Sequence, residues 1–205
     1  MKVSKAQAQA NRAHVVQTAS QLFRERGYDG VGVADLMAAA GFTHGGFYKQ
    51  FGSKTDLIAE ATACGLAQTV ALTGDGVEPA EFVRQYLSRE HRDGRGTGCT
   101  MAALGSDAGR QPDSVRAAFA DGVESLVAAL GRGGGVAANS IDARRARAGI
   151  LDMLSHTVGA LIMSRACPDD SPLAEEFLAA SRDALLASLG LPPHAVDAAS
   201  DAYQE

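Results

Sequence analysis

The residues best placed to do chemistry lie in one short run, Gly41-Phe42-Thr43-His44-Gly45-Gly46-Phe47-Tyr48-Lys49-Gln50-Phe51. A turn residue is followed by small residues, then by an aromatic and a cation. That order suits gripping a large partner rather than breaking a bond. Gly41 supplies the left-handed backbone angles of a tight turn. His44, Gly45 and Gly46 keep the start of the next helix small, so that its backbone can approach a groove. Two adjacent glycines cost a helix about 1 kcal/mol each relative to alanine, which points to a need for clearance. Phe47 and Phe51, four apart, face inward, while Tyr48, Lys49 and Gln50 point outward. The pattern is that of a helix-turn-helix, in which one helix braces and the next lies in a DNA major groove.

Other chemistries find little support. No Gly-x-Ser-x-Gly, dinucleotide fingerprint or metal-ligand spacing occurs, so the chain is read as no enzyme, with no cofactor and no metal. Cys64, Cys99 and Cys167 lack zinc spacing, and an odd number argues against a disulfide framework. Cys99 stands at the expected start of a helix, where a thiol can ionise more readily, and is a candidate redox switch. The plainer reading is a small buried residue.

Elements that could position the run follow from periodicity. Ala and Leu are abundant, aromatics are 5% of residues, and two-residue alternation is rare, so the chain reads as all-α. A first helix is expected over Arg12 to Arg26, with Val15, Ala19, Leu22 and Phe23 on one face and Gly27 as its C-terminal cap. A second is expected over Val33 to Ala40, and a third over His44 to Phe51 capped by Thr43. A fourth begins at Ser53, where Ser53-x-x-Asp56 is a variant capping box. Five further segments are expected: Pro79 to His91, Cys99 to Ala108, Pro112 to Leu130, Ile141 to Cys167 and Leu173 to Leu189. Gly94 to Gly98 and Gly131 to Gly135 read as loops, the latter without the Gly-Lys-Ser/Thr ending of a phosphate loop. The start, Met1 to His14, is polar, and no apolar run approaches the roughly 20 residues that span a bilayer, so a cytoplasmic protein off the membrane is expected.

The net charge of −5 over 205 residues seems to exclude a nucleic-acid binder. Its distribution reverses that inference. Residues 1–54 carry seven Lys and Arg against three acids, a net +4, and the remainder carries twelve against twenty-one, a net −9. A basic head on an acidic body is compatible with DNA binding.

Residues 12–60 resemble the TetR family of bacterial transcriptional repressors. The resemblance is carried by Leu22-Phe23-Arg24-Glu25-Arg26-Gly27-Tyr28-Asp29-Gly30, by Val33-Ala34-Asp35-Leu36, and by Ala40 to Lys54 followed by Leu57. Gly32 replaces the family's usual Ser or Thr before the second helix, and Lys49 stands where His is frequent. The resemblance implies a three-helix DNA-binding head over residues 1–52. A larger helical body over 53–192 would bind a small ligand and dimerise, about nine helices in total, with a frayed tail over 193–205. It implies a repressor that binds a palindromic DNA operator as a homodimer and is released by a small-molecule inducer. Thr43, Tyr48 and Lys54 match phosphate-contacting positions. His44, Gly45 and Lys49 match positions near base edges, and Gly46 shares the close approach.

For the body, apolar and Met residues that could line an adaptable pocket are Leu66, Phe82, Tyr86, Met101, Leu104, Phe119, His156 and Met163, each of which could equally be core. His156 reads alternatively as a buried, hydrogen-bonded histidine. Helices 141–167 and 173–189 are the expected dimer interface. Their stripes are Ile141, Leu151, Leu154, Val158, Leu161 and Ile162 on one, and Leu173, Phe177, Leu178, Leu185 and Leu189 on the other. Two alternatives stand beside the inducible repressor: a redox or electrophile sensor using Cys99, and a small-molecule-binding module without DNA function.

Overall fold

Ser4 starts the first helix by accepting the Gln7 N–H on its hydroxyl at 3.1 Å. Helix α1 (Lys5–Arg26) therefore begins seven residues before the expected Arg12. Its first turns are polar and exposed, so no apolar periodicity marks them. It ends at Gly27, whose φ of 74° only glycine adopts readily. The computed structural model describes residues 4–73, 77–132 and 141–192.

Helix α2 (Val33–Ala39) starts at Gly32 without a side-chain cap and turns at Gly41, with φ 77°. The next segment, His44–Lys49, is a 3₁₀ helix rather than the expected α-helix, and Thr43 makes no side-chain cap. The pair Gly45-Gly46 has low helix propensity, and a six-residue piece closes more easily through i→i+3 bonds. Two such bonds are Gly46 N–H to the Thr43 carbonyl at 2.9 Å and Gln50 N–H to the Phe47 carbonyl at 2.8 Å. Helix α3 (Lys54–Thr73) is capped as expected, with Asp56 N–H on Ser53 Oγ at 3.1 Å.

The expected Pro79–His91 helix is two: α4 (Pro79–Tyr86) and α5 (Arg89–Asp93). Ser88 separates them in extended conformation and caps the second by accepting the His91 N–H at 3.1 Å. Helices α6 (Thr100–Ala108), α7 (Asp113–Gly131), α8 (Ile141–Ala166) and α9 (Pro172–Ser188) follow. Among the described residues the fold is nine α-helices and one 3₁₀ helix, with no strand. The expected tail over 193–205 and most of the Gly131–Gly135 loop lie outside the described residues.

Two apolar clusters form, and α3 contributes to both. The first joins Phe23, Tyr28, Leu36, Phe47, Phe51 and Leu57 to Leu104, Ala108 and Val115. The second gathers Leu66, Phe82, Tyr86, Leu126, Leu154 and Leu161 with Leu178 and Leu185 of α9. Gly122 lets α7 meet α3 closely, since a Cβ there would stand 2.6 Å from Leu66 Cβ.

The α8 stripe expected at a dimer interface divides. Leu154 and Leu161 are buried in the chain's own core, with Leu178 and Leu185 from α9. Ile141, Leu151, Ile162, Leu173 and Leu189 remain exposed. At about 100° per residue the stripe is wide enough for one edge to face inward and the other outward. Among the described residues, no helix is long and apolar enough to cross a membrane.

Candidate nucleic-acid interface and ligand cavity

The 3₁₀ segment is braced from below. Phe47 is fully buried and packs on Phe51 with ring centroids 5.4 Å apart. Arg12 holds the end of the segment in place. Its guanidinium lies 4.6 Å over the Phe51 ring, its Nε donates to the Gln50 carbonyl at 3.3 Å, and its two terminal nitrogens grip the Glu60 carboxylate. The Glu60 hydrogen bonds raise the Arg12 pKa further. Arg12 thus ties α1 and α3 to the segment between them.

Above that brace, Thr43, His44, Gly45, Tyr48 and Lys49 are all exposed, and Gly46 is half-buried. Tyr48 is 67% exposed, yet it is not loose. Its ring stands edge-on to Phe47 at 5.1 Å and to His44 at 6.0 Å, a favourable aromatic geometry that holds it upright. A Cβ on Gly45 would meet nothing within 4 Å, whereas one on Gly46 would touch the Met37 methyl at 3.5 Å. Clearance at Gly45 is therefore toward the outside. Lys54, expected to meet phosphate, is half-buried and already engaged within the chain. Its Nζ donates to the Tyr28 carbonyl at 2.8 Å, bridging the start of α3 to the turn that follows α1.

Arg24 links this head to the rest of the chain. Its side chain is 7% exposed. Nε donates to the Gly96 carbonyl at 2.8 Å, Nη1 to Ser20 Oγ at 2.8 Å and Thr100 Oγ1 at 3.4 Å, and Nη2 to Gln68 Oε1 at 3.3 Å. Burial lowers its pKa, and none of these partners is a carboxylate. One side chain on α1 thereby touches α3, α6 and the 94–98 loop.

Behind this junction lies a cavity of about 660 Å³, within the range of small-molecule sites. Leu72, Val77 and Phe82 give it apolar wall, while Glu81, Gln85, Glu90 and Thr97 are its exposed polar residues. Of the expected pocket residues, Phe82 and Tyr86 line it, and so does Cys99. Leu66 and Met101 are buried in the same core without reaching the cavity. Leu104 belongs to the core nearer the head, and Phe119 packs against both cores. His156 and Met163 are corrected: both are exposed on α8 and neither lines the cavity. The buried face of α8 is Met153, Leu154, Thr157, Ala160, Leu161 and Ser164, and these two residues lie off it.

Of three further side chains that the sequence did not single out, His91 lines the cavity, and Arg165 and Arg92 lie behind it. His91 Nε2 is 2.9 Å from the Cys99 N–H, and its Nδ1 is 2.7 Å from the Tyr86 carbonyl. An amide N–H only donates, so Nε2 is bare and Nδ1 carries the proton. Burial pushes the His91 pKa down, in keeping with this neutral form. Arg165 donates from Nε to the Arg92 carbonyl at 2.8 Å and from Nη2 to the His91 carbonyl at 2.6 Å. Among the described residues its Nη1 is buried without a hydrogen-bond partner, as is the Tyr86 hydroxyl. Burial, with the Cys99 sulfur beside it, holds the Tyr86 pKa well above the usual phenol value. Arg92 itself is fully satisfied by Ser164, Asp93, Asp169 and the Cys167 carbonyl. Among the described residues, no group of three or more His, Cys, Asp or Glu could hold a metal ion.

Comparison with known proteins agrees with this architecture. Residues 15–61 match the profile of the family described as bacterial regulatory proteins, tetR family. Over 110 residues the chain is 30% identical to the HTH-type transcriptional repressor DhaR of Mycobacterium sp. (strain GP1). That match covers 51% of this chain and 56% of DhaR, so the chain spans little more than half the length of this curated relative. The fold is similar to that of E. coli NemR in its reduced form, with a TM-score of 0.66 and 20% identity over 86% of this chain and 95% of that one. A TetR-family regulator from Agrobacterium tumefaciens gives a TM-score of 0.64 and 23% identity over 87% and 97%.

Proposed function

We propose that this chain, a member of the tetR family of bacterial regulatory proteins, is a DNA-binding transcriptional repressor of the cytoplasm whose cavity receives a small-molecule inducer. The observation that carries the reading is the braced 3₁₀ segment, which turns Thr43, His44, Gly45, Tyr48 and Lys49 outward on one rigid base. In this reading Thr43 and Tyr48 donate hydroxyls to phosphates. His44 and Lys49 reach base edges, while Gly45 and Gly46 allow the close approach. Lys54 exchanges the Tyr28 carbonyl for a phosphate when DNA arrives.

A single short segment reads few bases, so two copies about 34 Å apart on a palindrome supply the specificity. The exposed edge of the α8 and α9 stripes, Leu151, Ile162, Met163, Leu173 and Leu189, is the surface offered to the second copy. Residues 1–52 act as head and 53–192 as body. Ligand and DNA each favour a different arrangement of the two heads, and each therefore weakens the other's binding. A gel shift with the DNA upstream of the protein's own gene tests the reading. A band at low salt, lost as salt rises, is expected. Absence of a band at low salt would refute it in favour of a ligand-binding module without DNA function.

A second reading rests on the position of Cys99, which is buried from bulk solvent but lines the cavity. A thiol there is open to a small electrophile, and its modification would release DNA. Alkylation of Cys99 with unchanged operator affinity would refute it.

A further inference from the structure

Buried donors are ordinarily used, and buried cations are ordinarily matched by acids, because leaving either alone is costly. Arg92 obeys this rule, with Asp93 at 2.6 Å and Asp169 at 3.0 Å. Around Cys99 it is broken. Among the described residues, Arg24 and Arg165 donate only to uncharged oxygens. The Tyr86 hydroxyl, on a residue 5% exposed, has no hydrogen-bond partner among them either. It stands beside the Cys99 sulfur without a bond to the neutral thiol. Burial lowers the pKa of both arginines, and the Cys99 sulfur is among the groups that hold each of them up. Arg165 lies behind the residue before Cys99, since a Cβ on Gly98 would stand 3.0 Å from its Nη2. Arg24 reaches the residue after it, with Nη1 3.4 Å from Thr100 Oγ1.

The anion these groups lack is thus available in the wall itself. Cys99 is the N-cap of α6, where free backbone N–H groups favour a negative sulfur. Burial also keeps the Tyr86 hydroxyl protonated, so it can donate to a thiolate. The two other cysteines differ. Cys64 accepts from Gln68 Nε2 at 3.9 Å and packs against the core of the head, and burial pushes its thiol up. Cys167 donates its thiol proton to the Met163 carbonyl at 3.4 Å. Only Cys99 lines the cavity. Glu81 and Glu90 on the lining disfavour an anionic visitor, and the two cations behind the wall disfavour a cationic one, which leaves an uncharged compound.

We infer that Cys99 is a modification site for small, uncharged α,β-unsaturated carbonyl compounds that enter the cavity, with the Tyr86 hydroxyl donating to the sulfur as its proton leaves and Arg165 supplying positive charge behind it. In the addition the sulfur bonds to the β-carbon, the π pair of the C=C bond moves to the α-carbon, and the thiol proton reaches that carbon through solvent. Tyr86 and Arg165 are positioning residues, since both act through the sulfur. The inference rests on the second reading above and deepens it by naming the class of electrophile. An adduct on Cys99 also stands one residue from Thr100, which receives Arg24 of the head.

The test is treatment of the full chain with methyl vinyl ketone at near-neutral pH, the adduct on each cysteine being timed by peptide mass spectrometry. Cys64 and Cys167 are more exposed than Cys99, so exposure alone predicts that they react first. Cys99 is instead expected to react about tenfold faster than either, the scale of one hydrogen bond to a charged group. In the urea-unfolded chain the three should react alike. Tyr86→Phe keeps the ring and should slow Cys99 about tenfold, leaving the other two unchanged. A hydroxyl with only a packing role gives the opposite sign, because loosening the wall exposes the thiol. Arg165→Met should also slow Cys99, and Arg165→Lys should restore most of the rate; if Arg165→Met does not melt cooperatively, Tyr86→Phe decides. Cys99 reacting no faster than Cys64 or Cys167, or a Cys99 rate unchanged or raised in Tyr86→Phe, would overturn the inference. The gel shift is run on the treated chain alongside. An adduct on Cys99 that leaves the band in place sinks the sensor reading alone. A band lost without preferential labelling of Cys99 sinks the inference and leaves the repressor reading standing.

Discussion

Replacing Arg24 with Met tests whether one buried side chain couples the helix-turn-helix to the body. Methionine fills the aliphatic path of arginine but loses every donor. The Gly96 carbonyl loses its 2.8 Å bond, Ser20 Oγ its 2.8 Å bond, and Gln68 Oε1 its 3.3 Å bond. A buried acceptor left unsatisfied costs about 1–3 kcal/mol. Ser20 can rotate its hydroxyl toward α1, and Gln68 is only partly buried, so the Gly96 carbonyl carries most of the loss. Removing an uncompensated cation from the interior returns part of it. The net expectation is a destabilisation of about 2 kcal/mol, a large share of the 5–15 kcal/mol that holds a domain together. In urea, with a slope of about 2 kcal/mol per molar, the unfolding midpoint should fall by about 1 M. Arg24→Lys keeps the charge but not the fork and should recover less than half of that loss. A midpoint shift below about 0.3 M, outside the usual error of such titrations, would refute the claim that Arg24 organises the junction.

Other perturbations have equally definite outcomes. Burial lowers the His91 pKa in the fold, so the unfolded chain holds the proton more tightly. Stability is therefore expected to fall as pH drops below about 6.5 toward the folded-state value, with a limiting slope near 1.4 kcal/mol per pH unit, and His91→Gln should flatten that slope in urea titrations across pH. Lys54→Ala should weaken binding to operator and random DNA alike and reduce the log–log salt slope by about 1; an unchanged slope would mean that Lys54 stays on the Tyr28 carbonyl. Leu151→Glu with Ile162→Glu, both at exposed positions, should give folded monomers in sedimentation analysis, whereas a persisting dimer would move the interface elsewhere.

Local signals were readable where one residue determines local geometry. Gly27 and Gly41 marked the ends of α1 and α2 because only glycine accepts their positive φ at no cost. Ser53 marked α3 because its hydroxyl has a single nearby use. The start of α1 and the break at Ser88 were missed, since both depend on a serine capping a polar stretch with no apolar period. In the body, Phe82 and Tyr86 fell on the cavity, but His156 and Met163 did not. Apolar and small residues surround much of α8, and nothing local says which side meets the core. The arginine contacts behind the cavity were illegible for a different reason. Arg24 meets Gly96 across 72 residues and Arg165 meets the Arg92 carbonyl across 73, so only the fold brings them together.

In the proposed repressor, the winding of His44–Lys49 has a consequence for how DNA sequence would be read. A 3₁₀ helix turns about 120° per residue and an α-helix about 100°. Over the five steps from His44 to Lys49 the difference accumulates to about 100°, and the rise changes by about 2.5 Å. Tightly wound, the segment aims His44 and Lys49 along one pair of directions; wound as an α-helix, it would swing one about a quarter-turn around the axis relative to the other. The flexible Gly45-Gly46 pair lies inside that span, where such torsion is cheapest. The pitch of this segment is thus an alphabet of its own: the same side chains, wound differently, would spell a different operator.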